Sequence, residues 1–188
     1  MAQFIRWYDN ALAPEICRDI IARFDADPRK IVGKVSGNAG PEVDLKGKQT
    51  IELILPDKGW DDIKQALQHS LSVGLGLYQR DVTFLAGSDH KELYCEPLRV
   101  KKYEIGGQFS WHIDCNSAQN HSRALAAQWY FNHVAEGGAT EFADQKVSVA
   151  CVEGRLALFP VAWTYRHRGA SPVSGPKYVC TTFIHPRF

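Results

Sequence analysis

The sequence predicts a mainly β protein with flanking helices, built around a double-sheet jelly roll or a similar β-sandwich. From about Leu98 onward, short alternating or apolar runs are separated by turns that contain glycine or proline, about every 8–15 residues. Before that point, two longer segments carry apolar residues at helical spacing. The length of 188 residues and a hydrophobic fraction of 45% fit one soluble domain and exclude intrinsic disorder. We therefore expect a single domain over 1–188, with helical support over about 1–97 and the β core over about 98–188.

Two amphipathic helices are expected in the first half. Apolar residues recur every third or fourth position over Leu12–Phe24, and Pro14 suits a first helical turn. Trp60–Tyr78 repeats the pattern, although Gly74 and Gly76 weaken the prediction of where this helix ends. Both helices should pack on the outside of one sheet.

The strands are predicted from alternation and from the turns between runs. Ile31–Thr50 is rich in glycine, lysine and asparagine and predicts a loop, and Gln49–Leu55 alternates as a strand would. Seven further strands are predicted: Leu98–Ile105, Phe109–Ile113, Leu125–Asn132, Val147–Val152, Leu156–Phe159, Trp163–His167 and Lys177–Ile184.

Charge and cysteine content narrow the classes of function. The 22 basic and 21 acidic residues leave a net charge of +1, whereas proteins that bind nucleic acids usually carry a basic excess. No apolar run approaches the roughly 18 residues of a membrane span, so a membrane partner is not expected. The first ten residues lack the features of a secretory signal. The five scattered cysteines fit neither a disulfide framework nor a zinc site, and we expect free thiols in a reducing cytoplasm.

The strongest local feature is His112-Ile113-Asp114. Residues two apart on a β-strand point to the same face, so His112 and Asp114 would aim into one cavity. A second histidine would complete a face of two histidines and one carboxylate, the ligand set of non-haem Fe(II) centres that activate oxygen. Because the triplet alone is a weak indicator, the interpretation depends on what lies downstream.

Downstream, His167 and Lys177 each allow two interpretations. His167 is either a surface histidine flanked by two arginines or the missing ligand. Lys177 alternates with Val179, Thr181 and Phe183 on a predicted strand, and most lysines in such positions face solvent. If this face points inward, the lysine is a buried cation that needs an anionic partner, which a dicarboxylate cosubstrate would provide.

Several blocks in this half occur together in one known family. They are Tyr103-x-x-Gly106-Gly107-x-Phe109-x-x-His112-x-Asp114; Tyr130-Phe131-Asn132; Glu136-Gly137-Gly138-x-Thr140-x-Phe142; and Gly154-Arg155-Leu156-x-Leu158-Phe159-Pro160, followed by His167-x-Gly169, Pro172-Val173, Gly175 and Lys177-Tyr178. In order and spacing they resemble the Fe(II)/2-oxoglutarate-dependent dioxygenases, and most closely their prolyl 4-hydroxylase-like branch. The resemblance covers about 98–184, implies a double-stranded β-helix, and extends only loosely to the N-terminal half.

The resemblance implies a role for each site residue. His112, Asp114 and His167 would be the catalytic iron ligands. Lys177 would form a salt bridge to the distal carboxylate of 2-oxoglutarate, and Tyr130 would hydrogen-bond the same region. Tyr103 would line the cosubstrate pocket, with Thr181 and Gln128 as weaker candidates for it.

The implied activity is hydroxylation of a C–H bond, with release of succinate and CO2. Fe(II), 2-oxoglutarate and O2 would be required, with ascorbate as an additional candidate cofactor. Asp114 favours hydroxylation, because related halogenases replace this carboxylate with a small residue. A peptidyl proline is the first substrate to expect, followed by a free amino acid or another small molecule.

Two alternatives remain from the residues. One is a non-catalytic metal-binding or interaction module that keeps the jelly roll. The other is a cupin-like zinc or manganese protein without 2-oxoglutarate, which would leave Lys177 without a role. The other histidines (His69, His90, His121, His133 and His185) have no partner at ligand spacing and are not expected to bind the metal, and Cys115 is expected to pack on the opposite strand face.

Overall fold

The computed structural model describes residues 4–37, 40–82 and 92–187. Helix α1 spans Pro14–Ala26 and helix α2 spans Asp61–Asp81. The strands of the described residues are β1 (Arg6–Tyr8), β2 (Ile31–Val32), β3 (Val35–Gly37), β4 (Gly40–Glu42), β5 (Ile51–Ile54), β6 (Glu92–Cys95), β7 (Arg99–Tyr103), β8 (Phe109–His112), β9 (Leu125–Tyr130), β10 (Thr140–Phe142), β11 (Val147–Val149), β12 (Leu156–Pro160), β13 (His167–Gly169) and β14 (Lys177–Arg187).

Two antiparallel sheets form the core, which confirms the predicted β-sandwich with flanking helices. The major sheet has the order β1-β12-β9-β14-β7-β5-β2, with β6 pairing on β14. The minor sheet has the order β11-β10-β13-β8, and β3 and β4 form a separate hairpin. Neighbouring strands are often distant in sequence, so the sheets are held by long-range pairing.

Alternation along the major sheet separates two hydrophobic cores. On β9, Trp129 faces the layer that contains helices α1 and α2, while its neighbour Tyr130 faces the space between the sheets. The same switch occurs on β14 between Cys180 and Val179. The helices therefore cover the outer face of the major sheet, as predicted. Neither described helix is long and apolar enough to cross a membrane.

Helix boundaries differ slightly from the expected ones. Helix α1 begins at Pro14, whose fixed φ suits the first turn, and continues to Ala26. Helix α2 continues through both of its glycines to Asp81. Gly74 is a point of close approach, because a Cβ there would lie 2.5 Å from Leu156 Cδ2, whereas a Cβ at Gly76 would meet nothing within 4 Å.

Two predictions about the strands are wrong. The segment 31–50, predicted as a loop, contains strands β2, β3 and β4; its residues 38 and 39 lie outside the described part of the chain. The predicted strand Trp163–His167 begins only at His167. A turn precedes it, in which the Tyr165 N–H donates to the Ala162 carbonyl (2.8 Å), and Trp163 is 77% exposed. The strand was wrongly predicted because this segment contains the aromatic residues Trp163 and Tyr165, which are common in strands.

Candidate metal centre and cosubstrate pocket

Three predicted ligands meet at the face of the minor sheet. His112 is the last residue of β8 and His167 the first of β13, and the two are directly paired in the sheet register. Asp114 lies just beyond the end of β8, with Oδ2 3.2 Å from His167 Nε2 and Oδ1 3.6 Å from His112 Nε2. One ligand atom from each of the three residues lies within 4.8 Å of the others. This is the two-histidine, one-carboxylate set that suits non-haem Fe(II).

Backbone carbonyls fix which histidine nitrogens face the centre. His112 Nδ1 lies 2.7 Å from the Ser110 carbonyl oxygen, and His167 Nδ1 lies 3.0 Å from the Tyr165 carbonyl oxygen. A carbonyl only accepts hydrogen bonds, so Nδ1 of each ring is the donor. The neutral rings therefore present the lone pair of Nε2 to the centre, as a metal ligand must.

Electrostatics also favours cation binding. Burial lowers the pKa of His112, and the neighbouring His167 lowers it further, so the neutral imidazole is favoured. Burial alone would raise the pKa of Asp114, but the charge and hydrogen bonds of His167 and His112 hold it well below its usual range. The ionised form of the Asp114 carboxylate is thus favoured, and a bound divalent cation would compensate its charge.

Aromatic rings hold the two histidines in place. The Phe109 ring stacks on His112 with centroids 3.5 Å apart, and Phe142 and Phe159 flank His167 at 5.5 and 5.1 Å. The three phenylalanines belong to the sequence blocks of the resemblance, but the sequence did not predict that their rings contact the histidines. They restrict ring rotation and exclude water from the ligands' outer side.

Lys177 is a buried cation, so the inward interpretation of its strand is confirmed. Its side chain is 1% exposed, and among the described residues it has neither an ion pair nor a hydrogen bond. Its ammonium lies over two rings, 4.9 Å from the centroid of Tyr103 and 5.6 Å from that of Tyr130. Burial lowers the pKa of Lys177 to about 8. An anion beside it would offset this desolvation.

Tyr103 and Tyr130 lie on either side of Lys177, on strands β7 and β9, which flank β14 in the sheet order. Tyr103 lines the cavity beside the triad and packs against Gly169, where an added Cβ would lie 3.1 Å from the Tyr103 hydroxyl oxygen. The Tyr130 hydroxyl donates to Thr140 Oγ1 at 2.7 Å, and Gln128 Nε2 donates to the same oxygen at 2.8 Å. Gln128 and Thr140 also line the cavity.

Thr181 supplies a buried hydroxyl. Its Oγ1 has no hydrogen-bond partner within the described part of the chain, and Thr181 lines the same cavity. The Lys177 ammonium lies against Tyr103, which lines this cavity, so a buried cation and a hydroxyl, both suited to an oxyanion, lie in this region. The residues present therefore fit Fe(II) at the triad and a dicarboxylate such as 2-oxoglutarate beside it.

The other described histidines take no part in this centre. Among the described residues, the only cluster of potential metal ligands is the triad itself. His185 Nε2 lies 3.0 Å from Glu96 Oε1, and His121 Nδ1 lies 2.7 Å from the Ala118 carbonyl oxygen. His90 lies outside the described residues. Cys115 packs against the core between the sheets, and all five cysteines are free thiols.

An outer cleft of about 730 Å³ adjoins the metal centre. Lys48 and Arg99 line this cleft and belong to a charged group that sequence reasoning missed, in which buried Glu52 forms ion pairs with Lys48 (2.7 Å) and Arg99 (2.9 Å). Lys101, also buried, lines both this cleft and the inner cavity. The one available signal was that Lys101 lies two residues before Tyr103 on a strand and so shares its face.

Comparison with known proteins gives one family match, in the second half of the chain. Residues 98–185 match the model of the 2OG-Fe(II) oxygenase superfamily. No curated protein matches the sequence significantly.

Solved structures show where the fold recurs. The viral collagen prolyl hydroxylase of Paramecium bursaria Chlorella virus-1, in its 2OG complex, has a TM-score of 0.69 at 16% identity, covering 98% of this chain and 97% of that one. A Pseudomonas putida prolyl-4-hydroxylase has a TM-score of 0.70 at 16% identity over 97% and 93%. A Trichoplax adhaerens prolyl hydroxylase, in complex with a hypoxia inducible factor peptide fragment, has a TM-score of 0.72 at 14% identity over 97% and 84%.

The matched segment contains the complete triad together with Lys177, Tyr103, Tyr130 and Thr181. Over residues 98–185 the chain thus matches the 2OG-Fe(II) oxygenase superfamily, and its fold is that of the prolyl hydroxylases of known structure.

Proposed function

We propose that the protein is an Fe(II)- and 2-oxoglutarate-dependent hydroxylase in which His112, Asp114 and His167 bind the iron. The observation that carries this proposal is the convergence of their three ligand atoms within 4.8 Å, with both Nε2 atoms free to coordinate. Iron with bound 2-oxoglutarate supplies the activation of O2 and the oxidation of a C–H bond, with succinate and CO2 as co-products. The protein contributes orientation and a protected cavity.

Lys177 is the residue we assign to the distal carboxylate of 2-oxoglutarate. An ammonium that is 1% exposed and has no anionic partner among the described residues is costly unless a ligand supplies one. Tyr130 reaches the same region, and its hydroxyl oxygen can still accept a hydrogen bond while it donates to Thr140. Tyr103 and Thr181 complete the pocket wall on the major sheet.

The first substrate we propose is a peptidyl proline. Three proteins with the same fold are prolyl hydroxylases, and one of them was solved with a peptide fragment. The outer cleft of about 730 Å³ could accommodate a peptide beside the triad. A free amino acid or another small molecule is the second candidate, and the unpaired Lys101 at the cleft base favours a substrate that carries an anionic group.

Anaerobic titration of the apoprotein with Fe(II) and 2-oxoglutarate tests the assignment. The expected result is a weak visible charge-transfer band in the wild type that disappears in His112→Ala. His69→Ala is the matched control, since that exposed histidine lies on helix α2 and should leave the band intact. Iron binding without any band in the wild type would contradict the cosubstrate assignment and favour a cupin-like metal protein.

A further inference from the structure

Lys101 is a second buried lysine on the same face of the major sheet as Lys177. It lies on β7 two residues from Tyr103, and Tyr103 is paired with Lys177 in the register. Lys101 is only 9% exposed, and burial lowers its pKa to about 8. Unlike Lys177, it lines both the inner cavity and the outer cleft, so it lies at the boundary between them.

The carboxylate nearest to Lys101 in the sheet is already engaged by other groups. Glu52 is paired with Lys101 in the register of β5 and β7. Its Oε1 accepts from Lys48 Nζ (2.7 Å) and Thr50 Oγ1 (2.9 Å), and its Oε2 accepts from Arg99 Nη1 (2.9 Å). The ammonium of Lys101 makes no ion pair or hydrogen bond with any described residue.

The charges around Glu52 do not balance. Lys48, Arg99 and Lys101 are three cations beside one buried carboxylate, while Asp114 is committed to the metal centre. This part of the cleft therefore has an excess of positive charge, and two of the three cations, Lys48 and Lys101, are buried. Such a cluster favours an anionic ligand, because a bound anion would interact attractively with the cations that have no counter-charge from the protein.

Thr181 provides an independent second contact. Its buried, unpartnered Oγ1 lines the same two spaces as Lys101. In the register, Thr181 is paired with Arg99, and Lys101 with Val179, so Thr181 and Lys101 are diagonal neighbours on one face. Diagonal neighbours have Cβ atoms about 7–8 Å apart, which leaves room for one oxyanion between a lysine ammonium and a hydroxyl.

We propose that Lys101, with Thr181, binds a carboxylate of the substrate to be hydroxylated and thereby selects for an anionic substrate. The carboxylate belongs either to a free amino acid or to an acidic side chain beside the target residue of a peptide. This inference rests on the proposed function, since it places the substrate in the cleft beside the iron ligands. Lys177 remains the cation for the cosubstrate, because its ammonium lies against Tyr103 of the inner cavity and it does not line the outer cleft.

The test compares acids with their amides. One panel contains free amino acids and their primary amides, with L-proline and L-prolinamide included. The other contains end-blocked proline peptides in which glutamate beside the proline is replaced by glutamine. Both panels are assayed for binding, as perturbation of the anaerobic charge-transfer band, and for substrate-dependent O2 consumption.

In the wild type, we expect at least one acid to bind about tenfold more tightly than its amide, the size of one charge-assisted hydrogen bond. Preference within the first panel would identify a free amino acid, and preference within the second an acidic peptide. Lys101→Met should remove the preference, and Lys101→Arg should retain part of it. Lys102→Met is the matched control, because Lys102 follows on the same strand, faces the opposite side and forms an ion pair with Glu104.

Three outcomes would overturn the inference. One is a wild type in which no acid of either panel binds more tightly than its amide. Another is a Lys101→Met protein that keeps the wild-type preference for the acid. The third is a Lys101→Met protein that loses affinity for 2-oxoglutarate, which would assign Lys101 to the cosubstrate. All three leave the proposed function standing if the wild-type charge-transfer band is present, whereas absence of that band contradicts the function itself.

Discussion

Replacing Lys177 with methionine should make the ligand-free protein more stable. The ammonium is buried at 1% exposure, and its pKa falls from the ordinary 10.5 to about 8. A buried group that holds its proton less tightly than in the unfolded chain opposes folding at neutral pH. Methionine has a similar length and no charge, so Lys177→Met removes the desolvation penalty while keeping most of the packing.

The size of the effect follows from two opposing terms. The lowering of the Lys177 pKa from 10.5 to about 8 corresponds to roughly 3 kcal/mol at pH 7. Loss of the two cation–π contacts with Tyr103 and Tyr130 costs about 2 kcal/mol each for a desolvated ammonium, and sulfur–aromatic contacts of the methionine recover about 1 kcal/mol each. We therefore expect a net gain of about 1–2 kcal/mol in unfolding free energy, or roughly 3–6 °C in Tm for a chain of this size.

Urea unfolding of the two proteins at two pH values measures this effect. The unfolded chain binds the Lys177 proton more tightly, so wild-type stability should rise with pH between about 8 and 10.5, and the advantage of the variant should shrink at pH 9.5. Adding Mn(II) and 2-oxoglutarate should reverse the order. At about 100 times Kd, the ligand stabilises a competent protein by about 2.7 kcal/mol, and Lys177→Met should lose most of that gain.

Two results would refute this reasoning. A Lys177→Met protein that is less stable than the wild type without ligand would mean that the ammonium already has a compensating partner. A variant that keeps the full stabilisation by 2-oxoglutarate would remove Lys177 from the cosubstrate site. Lys102→Met is the control of opposite sign, because it breaks a partly exposed ion pair and should lower stability by about 1 kcal/mol or less.

Three further predictions concern the triad, the charged group around Glu52 and helix α2. Asp114→Ala should abolish substrate-dependent O2 consumption without unfolding the protein, and circular dichroism and turnover assays check both parts. Glu52→Gln should lower the unfolding free energy by about 3–5 kcal/mol in urea titration, because buried cations lose their counter-charge; the Glu52 pKa is about 2, so the wild-type contribution should be lost as pH falls from 4.5 toward 2. Gly76→Ala should raise Tm by the equivalent of up to about 1 kcal/mol, whereas Gly74→Ala should not, because its Cβ would meet Leu156 in the core. Equal Tm shifts for the two glycine variants would contradict that difference.

The fold class could be predicted because alternation and helical periodicity are properties of neighbouring residues. The sequence did not predict β10, a three-residue strand next to Gly137 and Gly138, because so short a run has no period of its own. Its neighbours β11 and β13 define it. The turn at Trp163 shows the converse, since an exposed aromatic residue contributed to a false strand.

The triad could be predicted because two ligands are adjacent in sequence and the resemblance supplied the third. The charged cluster could not, because it depends on the register between β5 and β7, which brings Glu52 opposite Lys101 from 49 positions away in the sequence. Sequence alone also could not decide whether Lys177 faced solvent. That depended on which side of β14 the minor sheet covers. The packing of one sheet on another produces no pattern among neighbouring residues in the sequence.

Strand β14 has a consequence for how the protein is made. It is the sole described link between β9 and β7, so without it the major sheet would divide into β1-β12-β9 on one side and β7-β5-β2 on the other. During synthesis both halves must wait for residues 177–187, with unpaired strand edges open to other chains. We expect a nascent chain that stalls before Lys177 to be prone to aggregation, and chaperones to matter most during that interval.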